Sequence, residues 1–276
     1  MSVSHNFIER FLAGALSFLK ESIFAEEYAL KNGFLQARDP RIKVFATLLF
    51  LLSILLAKSI FFLFGLYLFC LFLSAVSQIN IKFFLKRTWI FIPLFSFFIA
   101  LPALFEFFTP GEPLLEIPLL WGKGLVITRP GLYSAAFFLS RVATCVSFVI
   151  LLSLTTRHTQ LLRVLRIFGI PQVFVMVIGM CYRYIYLFIE IIENTYRAME
   201  SRAGRHVPHN RGREIVTWNM ASLWQRSYQL NNEIYNAMLS RGYRGEPKVL
   251  DEFKTSARDW AWLLGVVLIC LNPFLN

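Results

Sequence analysis

The chain has 276 residues, of which 57% are hydrophobic and 16% charged, with 29 phenylalanines and a formal net charge of +11. A soluble domain carries about 25% charged and about 45–50% apolar residues, so the composition excludes an ordinary soluble enzyme and indicates an integral membrane protein. The bases are spread among apolar runs, which argues against nucleic acid as a partner, and the four cysteines, Cys70, Cys145, Cys181 and Cys270, sit in apolar surroundings without a disulfide or metal-binding spacing.

Residues 1–38 form an amphipathic amino-terminal segment. Phe7, Phe11, Leu12, Ala15, Phe18 and Leu19 fall on one helical side, as in a helix lying on the membrane surface. No cleavable signal peptide is expected there, since Glu9 and Arg10 precede the apolar part.

Residues 39–154 are read as four spans. Asp39 predicts an N-cap and Pro40 suits the first helical position. Val44–Ala57 and Ile60–Val76 are short apolar runs around a tight turn at Lys58 and Ser59. A span needs about 20 residues, with a range of about 17–25, so Arg41 and Lys43 are expected to snorkel. The third span is expected from Thr88 to about Phe108, kinked at Pro93 and Pro102. Residues 109–130, rich in Gly and Pro, read as an irregular loop or small hairpin. Gly131–Leu154 is the fourth span and carries Arg141 near its middle. A charge inside the membrane is a functional candidate by default, and the alternative is that Arg141 snorkels or meets a carbonyl or Glu106.

Residues 155–258 change character: charge becomes frequent. Thr155 or Thr156 can cap a short helix that Gly169 and Pro171 stop. Two long helices follow, from about Pro171 to Ser201 and from about Arg213 to Ser240, joined by the basic linker "RAGRHVPHNRGRE". Val173–Ile192 is apolar enough to compete as a span, but Arg183, Glu190 and Glu193 oppose this at about 2.5–3.5 kcal/mol for each charge at mid-membrane. Residues 259–276 form the last span. With the amino terminus, the loop near Lys82–Arg87 and 155–258 inside, all Lys and Arg outside the spans except Lys58, Lys123 and Arg129 lie on the inner side. The positive-inside rule thus supports about five transmembrane helices plus long cytoplasmic helices, an all-α architecture with the carboxyl terminus outside.

The two long helices end alike. "YRAMESRAGR" begins at Tyr196 and "YNAMLSRGYR" at Tyr235; both read Tyr-x-Ala-Met-x-Ser-Arg-small-x-Arg. Arg202 continues a stripe through Ala198, Thr195, Ile191, Leu187, Tyr184, Met180, Val177 and Val173. Arg241 continues one through Ala237, Ile234, Leu230, Ser227, Leu223, Met220 and Val216. Each Arg follows a Ser and precedes a small residue. Small neighbours permit close approach, and a guanidinium is a rigid five-donor fork suited to a carboxylate. One such ending would be an ordinary helix terminus; two suggest a pair of docking tips.

At these residues the chain resembles the transmembrane (T) component of energy-coupling factor (ECF) transporters, a branch of ABC importers, and most closely its cobalt/nickel-type, CbiQ-like subgroup. "DPRIK", "LTTRHTQLLRVLRIFGIP", "YRYIYLFIEI" and "AMLSRGYRG" carry the likeness over nearly the whole chain. The resemblance implies coupling helices whose motifs, Ser201-Arg202-Ala203 and Ser240-Arg241-Gly242, dock on two ABC ATPase subunits. The first motif departs from the pattern by opening on Ser rather than the commoner Ala. It also implies a separate substrate-binding S component in the membrane, no catalysis and no cofactor in this chain, and a multi-pass place in a bacterial or archaeal cell membrane. Vitamin-type ECF transport and an ordinary ABC permease remain as alternatives. The chain has no P-loop pattern and no catalytic cluster of a membrane-bound enzyme. His206 and His209 are not read as metal ligands, because Pro208 interrupts their helical spacing.

Overall fold

The structure is a computed structural model that describes residues 28–31, 33–89, 92–102, 113–117, 125–203, 209–245 and 255–275. The amphipathic reading of the amino terminus, Glu106 and most of the basic linker lie outside them. Two units divide the chain: Glu26–Leu161 with Phe253–Asn276, and Leu162–Glu252 with Met1–Ala25.

The first unit is a helical bundle. Helix α1 (Pro40–Leu56) begins where the sequence predicts, with the Asp39 carboxylate accepting from the Arg41 N–H at 2.9 Å. The turn at Ala57–Ser59 returns the chain into α2 (Ile60–Val76). That helix ends without glycine. Gln78 adopts a left-handed φ of 56°, and the Gln78 and Ile79 N–H groups donate to Ala75 and Ser74 carbonyls at 3.1 and 3.2 Å. This is a Schellman closure.

Over the third apolar stretch the described residues are helical at Ile81–Trp89 (α3) and at Ile92–Ala100 (α4). Pro93 has no N–H to give the carbonyl four residues back, that of Trp89, and suits the first turn of α4; residues 90–91 and 103–108 lie outside the described residues. The basic segment expected as an inner loop is helical as well. Asn80 caps α3, accepting from the Lys82 N–H at 3.1 Å. Residues 113–117 (β1, Pro113–Ile117) and 125–128 (β2, Leu125–Thr128) pair as an antiparallel hairpin, with Glu116 opposite Val126. Thr128 then caps α5 (Arg129–Thr155), accepting from the Gly131 N–H at 3.3 Å. The bundle closes with α9 (Ala257–Leu275), which follows the helices His158–Leu165 (α6), Gln172–Ala203 (α7) and His209–Ser240 (α8) in the chain. Asp259 in its first turn reaches back to the Ser256 N–H at 3.0 Å.

Side chains pack these helices through a small aromatic core. Phe50 stacks on Phe148 with centroids 4.5 Å apart, and Trp262 lies beside Phe34 and Phe69. Ser53, Cys70, Ser74, Thr144 and Ser147 are buried among them. Small residues let membrane helices approach closely, and hydroxyls such as Thr144 and Ser147 donate to carbonyls four residues back, at 2.8 and 2.7 Å.

Two cations, Lys43 buried and Arg141 half-buried, fix how α1 and α5 lie against each other. Lys43 Nζ donates to the Thr155 carbonyl at 3.0 Å, and Arg141 Nη2 donates to the Ala57 carbonyl at 2.8 Å. Lys43 to Ala57 and Arg141 to Thr155 are equal sequence separations, so the two antiparallel helices are clamped at both ends of one stretch. The expectation that Lys43 snorkels is therefore corrected: it is 3% exposed, whereas its neighbour Arg41 is exposed. Stabilising the carboxyl end of α5 takes precedence over reaching water.

Before α1, Gln36 Nε2 donates to the Ser77 carbonyl at 2.9 Å and the Tyr28 carbonyl at 3.1 Å, tying the pre-helical segment to the end of α2. Gly33 makes this possible, since a Cβ there would lie 2.7 Å from the Ser77 oxygen. Gly33→Ala is expected to cost about 1–3 kcal/mol through overpacking, read as a lower thermal unfolding midpoint in detergent. Arg141→Leu leaves the Ala57 carbonyl without its donor and is expected to cost about 1–3 kcal/mol; Arg141→Lys recovers part of that in the same assay.

Candidate docking tips

The second unit carries both motif arginines. The short helix α6 (His158–Leu165) runs into a single 3-10 turn (Arg166–Phe168) and ends at Gly169, whose φ of 84° closes the turn. Helix α7 (Gln172–Ala203) and helix α8 (His209–Ser240) follow, each of 32 residues or about 48 Å at 1.5 Å per residue.

The ends of α7 and α8 repeat one local geometry. Ser201 Oγ donates to the Ala198 carbonyl at 2.9 Å, and Ser240 Oγ donates to the Ala237 carbonyl at 2.9 Å. Each hydroxyl folds back onto its own last turn, three residues up the chain. That bond holds the Ser side chain against its own helix. Arg202 and Arg241 are both exposed. Neither pairs with a carboxylate among the described residues. A cation at a helix carboxyl end is also favoured by the helix dipole, by about 0.3–1 kcal/mol when exposed.

Gly242 finishes the second tip. Its φ is 82°, its N–H donates to the Leu239 carbonyl at 2.9 Å, and the Tyr243 N–H donates to the Met238 carbonyl at 3.0 Å. Here the sequence's small residue has a second purpose: a Schellman turn needs a left-handed residue, and Gly adopts it without penalty. Ala203, its counterpart, is the last helical residue of α7. The stripes behind the arginines are partly uncovered. Val173, Val177 and Leu187 on α7 and Met220 on α8 are exposed, and so are Trp218, Trp224 and Tyr228. Charges along α7 form a helix-face pair, Glu193 with Arg197.

Arg141, the other candidate, is not gathered with these residues; it belongs to the first unit. One guanidinium nitrogen is spent on the Ala57 carbonyl and its plane lies over the Phe137 ring, 4.6 Å from the centroid. No group of three or more metal-ligating side chains occurs among the described residues. The sequence reading missed Lys43 as an internal donor. The available signal was its place in the first turn of α1, where the helix dipole disfavours a cation and where only another helix's carbonyl end would reward one.

By length and composition, Arg129–Thr155 and Gln172–Thr195 qualify among the described residues as helices able to cross a membrane. The profile of the CbiQ family, described as cobalt transport protein, matches residues 31–250. An uncharacterized protein of Methanocaldococcus jannaschii is 33% identical over 97% of this chain and 91% of its own length. Two energy-coupling factor transporter transmembrane proteins, EcfT, are also similar. That of Clostridium kluyveri is 26% identical over 89% of this chain and 94% of its own length; that of Streptococcus thermophilus is 28% identical over 88% and 91%. The chain belongs to the CbiQ cobalt transport family and is an integral membrane T component of an energy-coupling factor transporter.

Proposed function

We propose that this T component transmits the motion of two ABC ATPase subunits to a membrane S component that captures cobalt or nickel ions. The chain then sits as a multi-pass protein in the cell membrane, and the ATP is hydrolysed by its partners. The observation that carries the reading is the matched pair of tips: two serines bonded alike to the carbonyl three residues back, each beside an exposed Arg without a carboxylate partner among the described residues. Ser201, Arg202 and Ala203 form one docking motif, and Ser240, Arg241 and Gly242 the other. Two like tips suit two like grooves.

Cobalt is favoured by the family's description. The EcfT names of two relatives favour a second reading, a T component serving S components for other small substrates. Helix α7 is assigned as a coupling helix along the membrane rather than a sixth span. Arg183, Glu190 and Glu193 would each cost about 2.5–3.5 kcal/mol at mid-membrane, while its exposed Val173, Val177 and Leu187 offer an apolar face.

The test is co-expression with the ATPases and an S component. Arg202→Ala and Arg241→Ala are each expected to weaken ATPase retention in a pull-down, and the double variant to abolish it together with cobalt or nickel uptake. A buried charge pair that loses one partner costs about 3–5 kcal/mol. Undiminished retention and uptake in the double variant would refute the docking role. Gly242→Ala forces a left-handed residue with a Cβ, costing about 1–2 kcal/mol locally; retention should weaken there while Ser240 and Arg241 are intact.

A further inference from the structure

The chain leaves the first unit's bundle through the end of α5, and that end is unusually well secured. A helix terminus leaves its last four carbonyls without intrahelical donors. Here the Thr155 hydroxyl donates to the Leu151 carbonyl at 2.8 Å and the Leu152 carbonyl at 3.4 Å, and Lys43 Nζ donates to the Thr155 carbonyl at 3.0 Å. Thr155 and Thr156 are almost wholly buried. Side chains rather than solvent therefore supply these donors.

Lys43 is an expensive way to satisfy one carbonyl. It stands in the first turn of α1, on the unfavourable end of that helix dipole. Its charge is buried, and burial of a charge demands compensation. The compensation comes from two carboxylates. Asp39 caps the same helix and is buried; Asp259, in the first turn of α9, is buried and paired with Arg38 at 3.3 Å. Two cations and two carboxylates thus meet at the inner end of the bundle, balanced in charge. A neutral donor would satisfy the Thr155 carbonyl with less desolvation. A buried ionic network of this kind adds little net stability compared with apolar packing, and its best-attested use is to fix register. Lys43 and Arg141 do this as a pair, one at each end of the α1–α5 contact.

We propose that Lys43 is a positioning residue for energy coupling. It locks the exit of α5 to α1, so that displacement of the chain beyond Thr156 is delivered to two bundle helices at once. Without it, the last turn of α5 frays and absorbs the displacement. The backbone leaves helical geometry at Thr156–Arg157, just past this bond, and again at the turn at Gly169, where φ is 84° and a Cβ would meet nothing within 4 Å. Bending belongs there, past the lock. The inference rests on the coupling function proposed above.

The test uses the full chain assembled with its ATPases and S component in proteoliposomes, with Co²⁺ and Ni²⁺ as the transported probes. The quantity read is ions imported per ATP hydrolysed. Lys43→Met is expected to keep ATP hydrolysis within about twofold of the parent while the ratio falls at least about tenfold. Lys43→Arg keeps a charged donor, and a cavity of about 30 Å³ beside Lys43, lined by Thr47, Phe148, Thr155 and Trp262 among others, gives the larger head room; its ratio should return to within about threefold. Lys43→Gln, a neutral donor, should fall between. Hydrogen exchange at the amides of residues 153–157 should rise in the same order.

An unchanged ratio in all three variants overturns the proposal. So does a proportional loss of hydrolysis and uptake in Lys43→Met that Lys43→Arg does not repair. If Lys43→Met does not assemble, the Arg and Gln variants decide, and equal ratios in those two overturn it. Failure of the underlying function looks different: the parent chain would retain no ATPase or import neither metal, and the coupling role of Lys43 would fall with it.

Discussion

Inside a membrane every backbone carbonyl and amide needs a partner within the protein, and helix ends are where the shortage falls. Much of this structure follows from that shortage. Asp39 and Thr128 meet amides at the starts of α1 and α5. Gln36, Lys43 and Arg141 meet carbonyls at helix ends, each across a large sequence separation. The backbone also turns back on itself, beside Gln36 at Gln78 and again at Gly242. The bundle is thus organised as much by its termini as by its apolar faces. Those faces are nearly all alike in a chain with so many Phe and Leu, and they discriminate poorly between one helix register and another.

The arginines divide along the same line. Arg141 is spent inward on a carbonyl and an aromatic ring. Arg202 and Arg241 are exposed at the ends of their helices and make no ion pair among the described residues, and the serine before each bonds to its own last turns.

Local signals were readable from the sequence and distant ones were not. Asp39-Pro40, the hairpin between Pro113 and Thr128, the stop at Gly169 and the two Ser-Arg tips all follow from residues close in the chain. Lys43 and Thr155 stand 112 residues apart, and nothing local announces their meeting; the register of α1 on α5 had to be seen. Gln78 in a left-handed turn contradicts the usual demand for Gly, and only its two backbone bonds account for it. At the tips, the motifs were legible but the folding back of the serine hydroxyls was not, since Ser has several local partners of similar energy.

The bundle helices also differ in length. Helices α1 and α2, of 17 residues each, reach about 25 Å, and α5, of 27, about 40 Å. The hydrocarbon of a bilayer is about 30 Å thick. Helix α5 exceeds that thickness, and α1 and α2 each fall short of it. A helix that falls short of the hydrocarbon is accommodated by a thinner bilayer and one that exceeds it by tilt, so the two lengths place opposite demands on the same lipid.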